Sequence, residues 1–509
     1  MMNIQQAKET IKQTIQAYLL KDESGEYKIP SVRQRPVLLM GPPGIGKTAI
    51  MEQVARECHI GLVAYTITHH TRQSAIGLPY IVHKNFGGKD YAMTEYTMSE
   101  IIASVYEKME ATGLKEGILF IDEINCVSET LAPTMLQFLQ GKTFGNHRVP
   151  KGWIIVAAGN PPQYNKSVKD FDIVTLDRVK RVDVCEDYEA WKSYGYSHHI
   201  HGAVMTYLEI KKENFYAIET TVDGRRFVTA RGWEDLSEMI KAYEQLELPV
   251  TEELVMQYVQ HSRIAKDFAN YYDLYKKYET QYHVEEILDG CWSEAVTSQL
   301  KEAAFDEKVS MIGLLTSRLN EAFKEACDAD SYTDLLYAQL KQLKDDLSRE
   351  TEQTGLEILE HMTAESGSRM LCEKESGLLD RDQAKIHTKV VKTLEYYGQQ
   401  CRMGGIKAAD GVFETVRTLF GHDVSTRSEI IEQTSKMLHQ AFAFLEDTFG
   451  ESQEMVIFMT ELNMDAYAVK FIGDNGSEDY YKYNKTLLFG ENRKKILAQI
   501  DSVPVSYII

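Results

Sequence analysis

Short, continuously apolar segments punctuate the first 160 residues and predict strands that are buried on both faces. The sequences are VLLM at 37–40, GLVAYTI at 61–67, ILFI at 118–121 and WIIVAA at 153–158. Between them, apolar residues recur at helical spacing, as in AIMEQVARE at 49–57 and MSEIIASVYEKMEA at 98–111. The pattern therefore predicts buried strands that are separated by amphipathic helices.

Two further elements are predicted around these strands. Residues 4–20 place apolar side chains at helical spacing and predict an amphipathic helix before the first strand. Residues 80–82 and 91–94 flank Gly87 and Gly88, which indicates a β-hairpin closed by a glycine turn.

The second half of the chain has a different pattern. Ten of the eleven prolines lie at or before Pro249, and the other is Pro504. A span of about 250 residues without proline is typical of helices, because proline cannot be accommodated inside them. A stripe of leucines supports this interpretation: Leu336, Leu340, Leu343 and Leu347. A short strand or two near residues 455–472 is the exception that we expect.

The sequence GPPGIGKT follows the first apolar segment and matches the phosphate-binding pattern G-x-x-x-x-G-K-[ST]. Gly44 and Gly46 can adopt backbone conformations closed to other residues, so that successive N–H groups turn onto phosphate oxygens. Lys47 brings a cation to the β- and γ-phosphates, and Thr48 offers a hydroxyl to Mg²⁺. The alternative interpretation is a glycine-rich turn with a chance lysine.

We therefore predict that one loop binds ATP with Mg²⁺. No Asn-Lys-x-Asp sequence for reading guanine follows it, which favours ATP over GTP. The nucleotide-binding residues are predicted to be Gly41, Pro42, Pro43, Gly44, Ile45, Gly46, Lys47 and Thr48.

Polar residues end two of the later apolar segments. Asp122 and Glu123 follow ILFI, which places two carboxylates at the carboxyl edge of a sheet, where α/β proteins bind ligands. Asp122 is predicted to hold Mg²⁺ with Thr48, and Glu123 to orient and deprotonate the attacking water. Asn160 follows the next segment and is predicted to bond the γ-phosphate and this water. The alternatives are a strand entering a solvated loop and a turn-forming asparagine before Pro161.

Length and composition narrow the class of protein. The 509 residues suffice for two to four domains, and the formal net charge is −20. This balance argues against a broad nucleic-acid or anionic-membrane surface. Seven scattered cysteines include no C-x-x-C pair, so neither a disulfide framework nor a zinc ribbon is indicated. The N-terminal sequence lacks a signal-peptide core and no apolar run is long enough to span a membrane, so a cytoplasmic location is expected.

The phosphate loop, the FIDEIN and AAGNPP segments, and Leu176-Asp177-Arg178 before residues 182–184 together resemble an AAA+ ATPase. Within that superfamily the chain is most similar to the MoxR and dynein-related ATPases, over about residues 30–250. The resemblance implies a doubly wound parallel α/β sheet with a small helical lid. It also implies a homo-oligomeric ring, usually of six subunits, with ATP at each interface.

Domain limits follow from this resemblance and from the change in composition. We expect an N-terminal helix and loop at 1–30, a large α/β subdomain at 31–185 and a helical lid at 186–260. Residues 261–509 are expected to form a mostly helical region without a recognisable role.

The resemblance also implies the roles of two arginines. Arg178 matches the position from which a neighbouring subunit's arginine completes the ATP site, and a guanidinium suits phosphate oxygens there. Arg181 is the competing candidate, and an exposed arginine before a strand is the alternative to both. Arg231 matches the lid arginine that reports the state of the γ-phosphate, although it follows Ala230 rather than the more familiar proline.

Two groups of histidines are candidates for further sites, one for binding a metal and one for contacting a client or a neighbouring subunit. The first, in the HHIH sequence, comprises His198, His199 and His201, but adjacent positions diverge on a helix and no Cys or carboxylate completes a metal set. The segment from His69 to Arg72 lies where similar ring ATPases present client-contacting or interface elements. A polar loop without a role is the alternative for this segment.

The leading functional hypothesis is an ATP-driven, chaperone-like remodeller or activator of protein partners, as the MoxR resemblance implies. A protein with a von Willebrand A-type domain is one candidate client. The alternative is a nucleic-acid-linked motor or restriction-type translocase, which uses the same ATPase core. The acidic balance and the lack of a Lys/Arg-rich run disfavour that alternative, because phosphate contacts require cations. A nucleotide-gated assembly that hydrolyses ATP slowly is a third class.

Overall fold

A computed structural model describes residues 1–69, 72–128, 130–144, 146–164, 171–221, 224–349 and 353–485. The chain divides into two units. The first comprises Met1–Ala190 with Glu360–Lys392, and the second comprises Trp191–Leu359 with Thr393–Ile509.

The first unit alternates helices and strands. In chain order its elements are α1 (Ile4–Leu19), β1 (Val37–Met40), α2 (Lys47–Glu57), β2 (Gly61–Thr66), α3 (Arg72–Ile76), β3 (Pro79–Phe86), β4 (Lys89–Tyr96), α4 (Glu100–Thr112), β5 (Gly117–Asp122), α5 (Ala132–Gly141), β6 (Thr143–Phe144), β7 (His147–Arg148), β8 (Trp153–Gly159), α6 (Ile173–Leu176) and β9 (Lys180–Asp183). The next helix, α7 (Tyr188–Ser197), leads into the second unit.

The buried apolar segments form a five-stranded parallel sheet in the order β2-β5-β8-β1-β9. This confirms the predicted α/β fold class. The predicted hairpin is also confirmed, since β3 and β4 pair antiparallel across Gly87 and Gly88, both with positive φ. The chain returns from β8 to β9 across β1, so that β1 has the phosphate loop at its end and neighbours on both sides.

The predicted N-terminal helix is confirmed as α1, and its start has a local cause. Asn3 accepts a hydrogen bond from the Gln6 backbone N–H at 2.9 Å, and the Gln6 side chain accepts one from the Asn3 N–H at 3.1 Å. This reciprocal cap satisfies two donors that a helix N-terminus leaves open. Met2 forms a parallel bridge to Val184, so the helix begins beside the end of β9.

One tryptophan packs tightly against the sheet at the end where its strands begin. All seven residues of β8 are buried, beginning with Trp153. Its indole reaches Gly117, the first residue of the adjacent strand β5, and Gly61, the first residue of β2 beyond it. A Cβ built on Gly117 would lie 2.6 Å from Trp153 Cη2, which is closer than packed atoms approach. Glycine at position 117 is therefore a packing requirement.

The described part of the second unit is mostly helical. Its elements are α8 (Gly202–Ile210), β10 (Ala217–Thr221), β11 (Gly224–Val228), α9 (Ala230–Gln245), α10 (Glu252–Tyr258), α11 (Ser262–Tyr282), α12 (Val284–Leu288), α13 (Glu294–Glu302), α14 (Phe305–Leu347), α15 (Gly355–Glu375), α16 (Arg381–Met403), α17 (Ala409–Phe449), α18 (Gln453–Met464) and α19 (Ala466–Asn475). The parts of α15 and α16 within Glu360–Lys392 belong to the first unit.

The proline-free half folds as the leucine stripe predicted. In α14, Leu336, Leu340 and Leu343 are buried, and this helix packs against α17. The expected strand near 455–472 was wrong, because α18 and α19 occupy that stretch. Their buried side chains recur at helical spacing, as Met455, Phe458, Met459 and Leu462 show. A period of three to four residues buries one side of a helix and would split a strand between two faces.

A buried ionic cluster joins three helices of the second unit. Lys192 of α7 is 2 % exposed and its Nζ lies 2.6 Å from carboxylates of both Glu209 in α8 and Glu461 in α18. Tyr196 donates its hydroxyl hydrogen to the second oxygen of Glu461. A buried charge needs such partners, because an uncompensated one is strongly destabilising. The cluster thereby fixes which helices can pack together.

No helix in the described ranges is both long and apolar enough to cross a membrane.

We expect the substitution Gly117→Ala to destabilise the first unit by about 1–3 kcal/mol, the usual cost of overpacking. The new methyl group would meet the Trp153 ring, and circular dichroism during thermal unfolding should show a lower melting temperature. Gly367→Ala is the control, because its Cβ would make only an ordinary 3.7 Å contact with Val391 in the same unit. Equal melting temperatures for Gly117→Ala and the wild type would contradict the packing argument.

Candidate functional site

The phosphate loop connects β1 to α2 with two glycines in the left-handed backbone region. Gly44 has φ of 71° and Gly46 has φ of 89°. Gly46 is the residue that caps the N-terminus of α2. A side chain in this conformation is strained, so glycine allows the loop to turn sharply into the helix. The backbone N–H groups and the dipole at a helix N-terminus favour a bound anion such as phosphate.

Lys47 reaches from this loop to the end of a neighbouring strand. The residue is 8 % exposed. Its Nζ donates to the carbonyl oxygens of Gly41 at 2.9 Å and Pro42 at 2.7 Å, and to Asn160 Oδ1 at 2.8 Å. These three oxygens stabilise a buried ammonium group and fix its direction. Two residues predicted from separate motifs, Lys47 and Asn160, are therefore in direct contact.

Thr48 and Asp122 form the second direct contact between the predicted motifs. Thr48 Oγ1 donates to Asp122 Oδ2 at 3.1 Å, and Asp122 Oδ1 accepts the Glu123 backbone N–H at 2.8 Å. A hydroxyl and a carboxylate are hard oxygen ligands that suit Mg²⁺, which is usually held by one or two carboxylates with phosphate oxygens. The donor set fits the predicted metal.

Glu123 leaves the sheet edge in an unusual backbone conformation. It is half-buried and has φ of 57°, in the left-handed region that costs a residue with a side chain about 1–2 kcal/mol. The next residue continues to contact β8, because the Ile124 N–H donates to the Ala158 carbonyl at 2.9 Å. Strained backbone of this kind is concentrated at functional sites.

Asn160 is held by a residue that the sequence analysis did not assign. Asn125 is 5 % exposed and lies two residues after Glu123. Its Nδ2 donates to the Asn160 carbonyl at 2.8 Å, and its Oδ1 accepts the Asn160 N–H at 3.3 Å. A polar residue two positions after the acidic pair was the available signal, but its partner could not be read from the sequence.

The two candidate arginines for a neighbouring site have different partners. Arg178 is exposed in the turn between α6 and β9, and its Nη1 donates to Gln140 Oε1 in α5. Arg181 is also exposed, but its Nε lies 2.9 and 3.0 Å from the two carboxylate oxygens of Asp183. Arg178 is thus hydrogen-bonded to a neutral amide, whereas a carboxylate compensates the charge of Arg181.

The remaining predicted residues belong to other elements of the chain. Arg231 is exposed on α9 in the second unit, two residues after the capping residue Thr229. In the segment considered as a client-contacting loop, residues 70 and 71 lie outside the described residues. Its flanking positions, His69 and Arg72, end a 3₁₀ turn and begin α3.

The three neighbouring histidines have separate partners. His198 stacks on Tyr194 with ring centroids 3.8 Å apart, and His199 Nδ1 lies 2.8 Å from Asn320 Oδ1. His201 accepts the Ala203 N–H and caps α8. In the described part of the chain, no group of three or more His, Cys, Asp or Glu residues could hold a metal ion.

Comparison with known families gives an independent finding. Residues 37–175 match the family described as ATPase family associated with various cellular activities (AAA). The matched span runs from β1 to α6 and includes the phosphate loop, the acidic pair and Asn160, but not Arg178 or Arg231. The match supports an AAA+ ATPase that binds nucleotide. No curated protein matches the chain.

Replacing Lys47 should weaken the binding of Mg·ATP. Because Lys47→Ala removes a charge-assisted contact worth about 1.5–3 kcal/mol, we expect affinity to fall by at least tenfold in calorimetry. The control is Lys151→Ala, a largely exposed lysine in the same unit that pairs loosely with Glu26 at 3.5 Å. Unchanged ATP affinity in a folded Lys47→Ala protein would contradict the assignment of the loop.

Proposed function

We propose that this chain is a Mg²⁺-dependent ATPase of the MoxR type that forms a ring and remodels or activates protein partners. The observation that carries this proposal is the convergence of Lys47, Thr48, Asp122 and Asn160 through two direct hydrogen bonds. These residues come from three distant parts of the sequence. Their types are those that phosphoryl transfer requires: a cation, a metal-binding pair and a polar amide.

Each residue has a distinct role in the proposed reaction. The loop N–H groups and Lys47 bind the phosphates, and Thr48 and Asp122 would hold Mg²⁺. When bound, the metal neutralises charge on the β- and γ-phosphate oxygens. Glu123 orients a water molecule toward the γ-phosphate and accepts its proton. Asn160 bonds the γ-phosphate and keeps this water in line.

The trans-acting arginine is assigned to Arg178 rather than Arg181. A guanidinium that is already paired with a carboxylate must give up that contact before it can bind a phosphate oxygen. Arg181 is engaged by Asp183 through both Nε and Nη2, and its pairing argues against that role. Beside Arg178, the short helix α6 exposes two apolar side chains, Ile173 at 84 % and Val174 at 57 %. Exposed apolar residues flanking Arg178 suit a contact with a second subunit.

The proposed action on protein partners is supported by the β3–β4 hairpin. This two-stranded sheet exposes Tyr80, Ile81, Phe86, Tyr91 and Met93. Phe86 and Tyr91 lie close together, with ring centroids 6.2 Å apart. Exposed aromatic and apolar residues are typical of protein-binding surfaces. The net charge of −20 fits a protein client, including one of von Willebrand A type, better than a nucleic acid.

The remaining proposed assignments follow the same resemblance. Arg231 is proposed to report the state of the γ-phosphate to a helical lid at 186–260. Six subunits are the proposed size of the ring.

Glu123 and Arg178 are proposed to act on one γ-phosphate from different subunits, which mixing can test. Arg178→Ala should retain ATP binding and lose about a thousandfold in hydrolysis, as expected for an arginine finger. Glu123→Gln should also be inactive. Mixed rings contain interfaces with an intact Glu123 and an intact Arg178, so steady-state ATPase activity should partly return.

Two controls make this mixing experiment decisive. Arg181→Ala should retain ATPase activity on its own, because its guanidinium is paired within its own strand. Exchange of subunits between labelled rings must be demonstrated by fluorescence energy transfer. If subunits exchange and no activity returns, the assignment of Arg178 as the trans-acting arginine is wrong. A fully active monomer at every concentration would exclude the ring.

The hairpin should be required for binding protein partners but not for ATP hydrolysis. In a Glu123→Gln background, the substitutions Phe86→Ser and Tyr91→Ser should abolish the ATP-dependent retention of client proteins, because they remove the exposed aromatic pair. Lys89→Ser, at the same turn, is the matched control. Equal retention by both variants would contradict this role, and tight DNA binding with a steep salt dependence would favour the nucleic-acid motor.

A further inference from the structure

Asn125 bonds both backbone groups of Asn160 with a single side chain. The Nδ2 group donates to the Asn160 carbonyl and Oδ1 accepts the Asn160 N–H, at 2.8 and 3.3 Å. This pair of contacts defines the orientation of the Asn125 amide. In the reverse orientation, its NH₂ group would face the Asn160 N–H and its oxygen would face the Asn160 carbonyl, so that neither hydrogen bond could form. The Asn125 residue is only 5 % exposed, so both contacts are shielded from solvent. Buried hydrogen bonds of this kind fix position, since leaving either partner unpaired costs about 1–3 kcal/mol.

The surrounding backbone is built to admit this side chain. A Cβ on Gly159 would lie 2.6 Å from Asn125 Oδ1 and 2.9 Å from its Cγ, so only glycine leaves room. Parallel pairing between β5 and β8 runs to Ile121 opposite Ala157. Beyond this point Glu123 turns away with positive φ, and the Asn125 side chain continues the contact with β8.

The contact therefore links two parts of the proposed reaction. Glu123, the proposed base that activates the water, lies two residues before Asn125 in the sequence. Asn125 also contacts Asn160, whose Oδ1 accepts the Lys47 ammonium hydrogen at 2.8 Å. A shift of Asn160 by one ångström would move it relative to both the γ-phosphate and the water, and misplacement of this size reduces rates by about a hundredfold.

We propose that Asn125 is a positioning residue for ATP hydrolysis, which holds Asn160 in register with Glu123. This inference rests on the proposed function. Asn125 is expected to act on the rate of the chemical step rather than on the binding of ATP, because Lys47 and the loop N–H groups remain in place without it.

The chemistry of the contact explains why asparagine is required. An aspartate has the same shape and can still accept the Asn160 N–H, but its ionised form cannot donate to the Asn160 carbonyl. It would also place a third carboxylate beside Asp122 and Glu123. Burial and neighbouring negative charge raise the pKa of a carboxyl group, whereas the Lys47 ammonium group on Asn160 and the donating Asn160 N–H lower it. Protonation of this carboxyl as the pH falls would restore the missing donor.

The test is the pH dependence of the variant Asn125→Asp. We expect its kcat at pH 8 to be about 10- to 100-fold below that of the wild type, the usual effect of losing a supporting contact. The ratio of variant to wild-type kcat should rise as the pH is lowered to 6, while KM and the calorimetric affinity for ATP stay near wild-type values. Asn125→Ala should lose a similar factor in kcat at every pH, because alanine has no group to protonate.

Two measurements separate a positioning role from a structural one. Thermal unfolding followed by circular dichroism should show that both variants are folded at the assay temperature. Asn146→Asp is the matched control, an exposed substitution in the turn between β6 and β7 with the same change of charge, and its kcat ratio should not vary with pH. Wild-type kcat in Asn125→Ala, or in Asn125→Asp at pH 8, would overturn the inference. A folded wild type without ATPase activity would instead overturn the proposed function and this inference together.

Discussion

The candidate site depends on the parallel pairing of β1 with β8. Met40 lies opposite Gly159 in the ladder, and the Gly41 N–H donates to the Gly159 carbonyl at 3.3 Å. This register brings the start of the phosphate loop and Asn160 to the same level of one sheet edge. Because β5 pairs with the other side of β8, Asp122 and Glu123 emerge beside them. A shift of one residue would separate Lys47 from Asn160 and turn alternate side chains to the opposite face.

The polar and charged groups that are buried at this edge of the sheet need hydrogen-bond partners, since burial of an unpaired charge is costly. Lys47 donates hydrogen bonds to three oxygens, those of Gly41, Pro42 and Asn160, which stabilise its buried ammonium group. Asp122 accepts hydrogen bonds from a hydroxyl and a backbone N–H. Glu123 adopts a strained backbone conformation that the paired residues around it hold in place. These contacts fix the side chains at this edge of the sheet, and fixed polar groups of this kind suit the catalysis that we propose.

Different physical rules govern the two units. In the first, backbone hydrogen bonds between strands fix the positions of residues that are distant in sequence. In the second, long helices pack through apolar stripes, and a few buried polar contacts select their partners. The Lys192 cluster and the hydrogen bond from Tyr332 in α14 to Asp423 in α17, at 2.9 Å, are such contacts. Apolar stripes alone would permit several arrangements of these helices, whereas a misplaced Lys192 would leave a charge buried without partners.

The sequence by itself determined the type of each strand and helix around the loop, because local periodicity and glycine positions reflect local backbone geometry. It also named Lys47, Thr48, Asp122, Glu123 and Asn160 as one candidate group, although their roles stay predictions. Only the tertiary structure decided that Asn125 pairs with the backbone of Asn160, because that contact joins two strands through side-chain geometry and a missing Cβ at Gly159. The error at 455–472 has a different reason, because the helical spacing of Met455, Phe458, Met459 and Leu462 was already present in the sequence.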